Sequence, residues 1–334
     1  MSRYLAIDLG TSTTIVYRRQ SGTLLAERSV LALDRGTGAV MATGEDAWRL
    51  IGRAPDNVVV VRPLCSGAIS DYRATTKLLE FLLARTGAGR WSRPHTLVSV
   101  PSALTAVERR AIQEATLEAG ARSCRLIPKP LAAGLGAGLP IYEPVGSLVV
   151  DLGGGTTEVA LMSVGGLVNN TTIRIGGFDL DTSIKRYVRD EYALEVGERT
   201  AEAIKITVGS AWPLPEREKA EITGRDLASG FPKTIIVTSG EIREAISEQL
   251  RAIVLATIDC ISGSPPELVQ DVVTRGITLT GGGSLLGGLD VLLAQETEVP
   301  VHRAEQPFES VALGAGRALE SAEGLESLLL DTEM

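Results

Sequence analysis

An α/β protein built from two related halves, each carrying a smaller inserted unit, is the architecture this sequence predicts, and three observations predict it. First, two segments share one design: YLAIDLGTSTTIVYRR at residues 4–19 and SLVVDLGGGTTEVALMSVGG at residues 147–166. Each is an apolar run ending in Asp, a glycine-containing turn with Thr, and then alternating apolar residues, which reads as strand, tight turn, strand. Second, strand and helix patterns alternate within each half, the arrangement of layered α/β domains. Third, two stretches have weaker periodicity, more charge and more turn residues. They predict small inserted subdomains at residues 33–71 and 181–241.

Taken in order, the first half comprises residues 1–32, 72–145 and 316–334 around its insert. The second comprises residues 146–180 and 242–315 around its own. RATTKLLEFLLAR (73–85) has helical spacing of apolar residues, and HTLVSVP (95–101) reads as a buried strand. TAVERRAIQEATLEAG (105–120) has a Thr N-cap, Glu108 three residues later as a capping box, and a glycine at its end. ITLTGGGSLLGGLDVLLAQETEVPV (277–301) reads as a strand followed by a helix that opens at three glycines. A repeated design at domain scale means two similar units facing one another.

Length and composition agree. At 334 residues the chain exceeds the usual domain of roughly 100 to 200 residues, so two domains are expected. Apolar residues make up 44% and aromatics only 4%, so aliphatic side chains must fill the core. A net charge of −8 argues against a broad nucleic-acid footprint, which needs clustered Lys and Arg. Cys65, Cys124 and Cys260 are few and widely spaced, with no CxxC pair, and are expected to be buried small hydrophobes in a cytoplasmic protein. The sequence begins without a secretory-signal pattern and contains no run of ~18 apolar residues to cross a membrane.

The chemistry-bearing residues sit at the repeated turns. Gly10, Thr11, Ser12 and Thr13, with Gly153, Gly154, Gly155, Thr156 and Thr157, would turn backbone amides and hydroxyls toward phosphates. Asp8 and Asp151, one at each strand end, suit Mg²⁺ held through water, since magnesium keeps much of its hydration. Gly281, Gly282 and Gly283 offer bare backbone against a base or sugar. Each motif alone is weak, because a Gly-Thr turn is most often just a turn. The pair with Asp in register is strong.

These three elements in this order resemble the actin, sugar kinase and DnaK-type chaperone superfamily, with its ribonuclease H-like duplicated domains. The similarity is closest to bacterial actins of the MreB/Mbl type and runs nearly end to end, through VERRAIQEATLEAGAR, PLAAGLGAGLPI, IRIGGFDLD, AEAIKITVGSAWP and the triple-glycine segment. The resemblance implies an actin-like fold with four subdomains around a nucleotide cleft, binding ATP and Mg²⁺. It implies a protein that polymerises with itself and organises cell-wall elongation from the inner face of the cell membrane. Glu202 and Lys205 match the family positions that reach ribose and base, and their i, i+3 spacing puts both on one helix face. A small-molecule kinase of the same superfamily is a rival, as is an ATP-locked filament without meaningful catalysis. A DnaK-type chaperone would need a further peptide-binding domain.

One position departs from the family. Where relatives read Glu-Glu-Pro, this chain reads IPKP, with Lys129 in place of the carboxylate that orients the attacking water. A charged lysine cannot accept a proton from water, so slow hydrolysis is expected unless Thr156, the second water-positioning residue, suffices. The expectation is of a proline-stiffened loop, with a solvent-facing Lys129 and another carboxylate as the alternative. Finally, TGAGRWSRPHT (86–96) places Trp91 between Arg90 and Arg93, a composition suited to an interfacial membrane anchor.

Overall fold

The computed structural model of the chain describes residues 4–18, 21–87, 92–213, 218–320 and 329–330. The first half opens with β1 (Tyr4–Leu9), β2 (Thr13–Arg18) and β3 (Gly22–Arg28). A small unit follows: β4 (Leu31–Asp34), β5 (Val40–Thr43), α1 (Gly44–Arg49), β6 (Val58–Val61), β7 (Leu64–Cys65) and β8 (Ala68–Ile69). The half closes with α2 (Tyr72–Arg85), β9 (His95–Val100), α3 (Ala106–Glu118), β10 (Ser123–Pro128) and α4 (Lys129–Gly136).

The second half repeats the plan with β11 (Ser147–Leu152), β12 (Thr157–Ser163), β13 (Gly166–Ile173) and α5 (Gly177–Tyr192). Its small unit holds β14 (Leu194–Glu195), α6 (Glu198–Val208), β15 (Lys219–Asp226) and β16 (Pro232–Thr238). Then come α7 (Ser239–Ala245), α8 (Ser247–Ser262), α9 (Pro266–Arg275), β17 (Ile277–Thr280), α10 (Leu289–Thr297), β18 (Val301–Arg303) and α11 (Ser310–Glu320).

The two main sheets have the same topology, β10-β9-β1-β2-β3 and β18-β17-β11-β12-β13. In each, the first strand pairs antiparallel with the second and parallel with a strand from much later in the chain. Period-two alternation gives each first strand two faces. Leu5, Ile7 and Leu9 pack outward with α2 and α3, while Ala6 packs inward. Leu148, Val150 and Leu152 likewise pack outward and Val149 inward. Asp8 and Asp151 therefore fall on the inward faces, at the ends of their strands.

Between those faces lie α4 and α11, contributing Leu131, Ala132, Ala133, Val311 and Ala315 to a shared central core. The two helices cross at glycines. A Cβ on Gly136 would stand 1.7 Å from the Ser310 carbonyl oxygen, and one on Gly314 would stand 1.7 Å from that of Ala132. No side chain fits at this crossing, and it binds the halves into one body.

Local signals appear as read. Thr105 and Glu108 form the capping box of α3. The sequence reading named no cap for α2; Asp71 supplies one by accepting from the Ala74 amide. Four expectations need correction. Gly281, Gly282 and Gly283 do not open a helix: residues Gly282–Leu285 form a short 3-10 turn, and α10 starts at Leu289 after Gly288 turns the chain at φ 70°. Lys129 and its prolines are not a loop, because Pro128 ends β10 and Lys129 and Pro130 begin α4, where a missing amide costs nothing. Of the cysteines only Cys260 is buried; Cys124 is half-buried and Cys65 exposed, on the tight β7–β8 hairpin. The boundaries expected after residues 180 and 315 lie inside α5 and α11, since amphipathic helices carry straight through them. Among the described residues, no helix is long and apolar enough to cross a membrane.

Candidate functional site

The two strand-turn-strand units meet at a cavity of about 580 Å³ between the halves. Its lining includes Asp8, Gly10, Thr11, Ser12, Thr13, Lys129, Asp151, Gly153, Gly154, Gly155, Thr156, Glu202, Lys205, Gly281, Gly282 and Gly283. Residues far apart in sequence are thus gathered on one surface. Thr157 is absent from it: its side chain is fully buried and its hydroxyl donates to the Ile175 carbonyl at 2.7 Å. Trp91 and Arg90 lie outside the described residues, and Arg93 is exposed.

The turns approach one another closely. A Cβ on Gly154 would stand 2.5 Å from the Ser12 Cβ, so only bare backbone lets the second turn lie against the first. Gly281, at φ 80°, brings the third element over the second aspartate, where a Cβ would stand 3.0 Å from Asp151 Oδ1. Backbone bonds tie the start of α5 to the second turn, with the Gly177 and Phe178 amides donating to Gly153 and Gly154 at 3.0 and 2.9 Å. Glycine-containing turns that bring backbone amides and hydroxyls to a shared space suit an anionic, phosphate-bearing ligand.

Both aspartates are held in the same manner. Asp8 lies opposite Ser99 across β1 and β9, and the Ser99 hydroxyl donates to Asp8 Oδ1 at 2.8 Å. Asp151 lies opposite Thr280 across β11 and β17, and the Thr280 hydroxyl donates to Asp151 Oδ1 at 2.8 Å. What differs is Lys129, whose Nζ stands 2.9 Å from Asp8 Oδ1. Lys129 is 8% exposed, so it does not point to solvent. Its burial works to lower the ammonium pKa, but Asp8, then Asp151 and Glu158, outweigh that, and the net shift is upward. The lysine is a fixed cation. Burial raises the Asp151 carboxyl, against the pull of Lys129 and Thr280.

Sequence reading missed Glu158, one residue beyond the second turn's threonines. It is 1% exposed, and its Oε1 accepts from the Ser102 amide and hydroxyl, each at 2.8 Å, and from the Thr172 hydroxyl at 3.1 Å. Its Oε2 is buried without a hydrogen-bond partner. Burial pushes this carboxyl up to about 6, with Asp151 adding to the rise and Ser102 and Lys129 opposing it. An acid directly before the apolar run VALM of this strand was the available signal.

At the outer end of the cavity, Glu202 accepts two bonds from Arg28 at 2.7 and 3.0 Å, joining α6 to β3 across the cleft. Arg28 also lies 4.5 Å over the Trp48 ring. Lys205 stands 2.8 Å from Asp181 and donates to the Gly177 carbonyl at 2.9 Å. Burial pushes the Asp181 carboxyl up to about 6 although Lys205 opposes it. A charged pair in the sequence is therefore two separate anchors in space. Arg28 had no local signal, because its partner lies in the other half.

Duplicated sheets with two strand-end aspartates facing a central cavity define an actin-like fold. The chain superposes on the crystal structure of MreB5 of Spiroplasma citri bound to AMPPNP with a TM-score of 0.92, at 31% identity and covering 96% of each chain. The MreB/Mbl protein family model matches residues 2–327, and the chain belongs to that family. It is 42% identical to the cell shape-determining protein Mbl of Bacillus subtilis (strain 168), over 97% of this chain and 98% of that one. It is 46% identical to the cell shape-determining protein MreB of Escherichia coli (strain K12), over 96% and 94%. A MamK double helical filament shares the fold at TM-score 0.83 and 20% identity, over 96% of this chain and 99% of that one.

Proposed function

We propose that this chain is an ATP-binding bacterial actin that assembles with itself into filaments serving cell shape, and that it turns ATP over slowly. The observation that supports this reading best is the convergence of both Asp-Gly turns, the triple-glycine segment and α6 on one cavity. Two of the similar structures hold AMPPNP or ADP, and the curated relatives are cell shape-determining proteins. In the proposed complex the turns at Gly10–Thr13 and Gly153–Thr156 cradle the phosphates, Gly281–Gly283 lie against the adenosine, and Glu202 and Lys205 hold the ribose and base. Glu202 must then exchange or share its contact with Arg28.

Hydrolysis of a phosphoanhydride needs a group that orients and deprotonates water. Lys129 at the cavity floor, paired with Asp8, offers a cation and no acceptor. Thr156 remains as a positioning hydroxyl without a base. The same lysine favours the alternative of a filament that keeps its ATP. Pelleting with ATP, followed by negative-stain microscopy, tests assembly and separates a filament from a kinase. Phosphate release should be slow and should rise by about 10²-fold in Lys129→Glu, the lower range for restoring a general base. An unchanged rate in that variant would remove Lys129 from the account.

The reading extends to the cytoplasmic membrane surface, with the Trp91 segment as contact and the cell-wall elongation machinery as partner. Its support is the Arg90-Trp91-Ser92-Arg93 composition and the exposure of Arg93. One such segment per subunit binds weakly, so filament avidity is needed. Polymerised Trp91→Ala should lose most co-sedimentation with anionic liposomes; retention equal to the parent would exclude this contact.

A further inference from the structure

The cation at the cavity floor belongs to the protein. Lys129 Nζ contacts Asp8 Oδ1 at 2.9 Å, and that same oxygen accepts from Ser99 at 2.8 Å. Asp151 Oδ1 accepts from Thr280. The expected role of Asp8 and Asp151, holding Mg²⁺ through water, fits these surroundings poorly. Magnesium wants oxygen ligands free of competing donors, and an ammonium fixed against one ligand repels a second cation at short range.

We infer that Lys129 takes the divalent cation's electrostatic role in this chain, so that a nucleoside triphosphate binds with little dependence on Mg²⁺. The inference rests on the nucleotide reading above and concerns the counter-charge that accompanies the ligand. An ammonium has three N–H donors, and contact with Asp8 occupies one. The others can serve oxygens of the terminal phosphates, which the two turns present to the same cavity. Position favours this role: Lys129 opens α4 directly after β10, and Ile127 and Leu131 on either side are packed in the central core. The charge is therefore anchored at its base, and little side-chain entropy remains to be lost when phosphate arrives.

Charge on the cavity floor points the same way. Asp8 and Asp151 face a doubly charged cation well if no other cation is present. With Lys129 paired to Asp8 and close enough for Asp151 and Glu158 to raise its pKa, part of their charge is already answered from within. The ligand's own metal then has less to neutralise and a neighbour that opposes it.

Calorimetric titration of the wild-type chain with AMPPNP, in EDTA and in excess magnesium chloride, tests this. The two affinities should agree within about threefold. Lys129→Met should bind at least about tenfold more weakly in EDTA and recover with magnesium, whereas Lys129→Arg should bind in EDTA as the wild type does. A wild-type affinity that drops tenfold or more without magnesium would overturn the inference while leaving the nucleotide reading intact. So would a folded Lys129→Met that binds normally in EDTA. No heat in either buffer would sink the nucleotide reading itself, and this inference with it. The wild-type comparison decides the matter even if Lys129→Met does not fold.

Discussion

The first and second strand-turn-strand units are two versions of one design held in different electrostatic settings. In both, an aspartate at the end of the first strand accepts a hydroxyl from the parallel neighbour, Ser99 in one case and Thr280 in the other. The residue registered against that aspartate on the second strand is Ile15 in the first unit and Glu158 in the second. The first aspartate carries a lysine ion pair, while the second has a buried acid as its neighbour. Backbone plan and hydroxyl partner are therefore common to the copies, and the charge balance is not. One cation on α4 faces carboxylates of both halves, so the units work as one site only when α4 is seated between the sheets.

The comparison breaks hardest where the halves are clamped together. Gly314→Ala puts a methyl group 1.7 Å from the Ala132 carbonyl oxygen, and neither helix backbone can yield cheaply inside the central core. We expect a loss of about 3 kcal/mol or more in urea unfolding, at the upper end for overpacking. An unshifted midpoint would show that α4 and α11 do not cross this closely.

A smaller effect sharpens the difference between the units themselves. Glu158 titrates near 6 in the folded protein against an ordinary 4.5, so protonation favours the fold. Its contribution is fully present below pH 4.5 and is lost as pH rises through about 6, amounting to about 2 kcal/mol. Unfolding curves at several pH values should show the parent losing stability relative to Glu158→Gln across that window. Parallel pH profiles would mean that Glu158 is not desolvated, and the second unit would then resemble the first.

Smallest is the outer clasp. Arg28→Ala removes the two bonds to Glu202, but both side chains keep some contact with water, so the stability change should stay within about 1 kcal/mol. A much larger drop would make this pair, and not the α4–α11 crossing, the main tie between halves.

Much of the architecture was legible because its signals are local. The Thr105–Glu108 box, the helical spacing of α2 and the Asp-Gly turns each act within a few residues, where backbone hydrogen bonding and alternation decide the outcome. The triple glycine misled for the opposite reason. It looks like a helix start, but Gly281 and Gly283 are there because Leu152 and Asp151 press against them from another strand. Thr157 misled similarly, since its neighbour in sequence faces the cavity while strand alternation turns it toward Ile175.

What the sequence by itself determined was the doubled α/β plan, the two aspartates and their turns, and the unusual lysine of IPKP. Tertiary structure alone decided what those groups do to each other: that Lys129 meets Asp8, that Arg28 clasps Glu202, and that Glu158 sits buried opposite Asp151. Periodicity reports which face of a strand or helix is apolar. Charge pairing depends on distance and on exclusion of water, and both come into being only when sheets from distant parts of the chain close over α4 and α11.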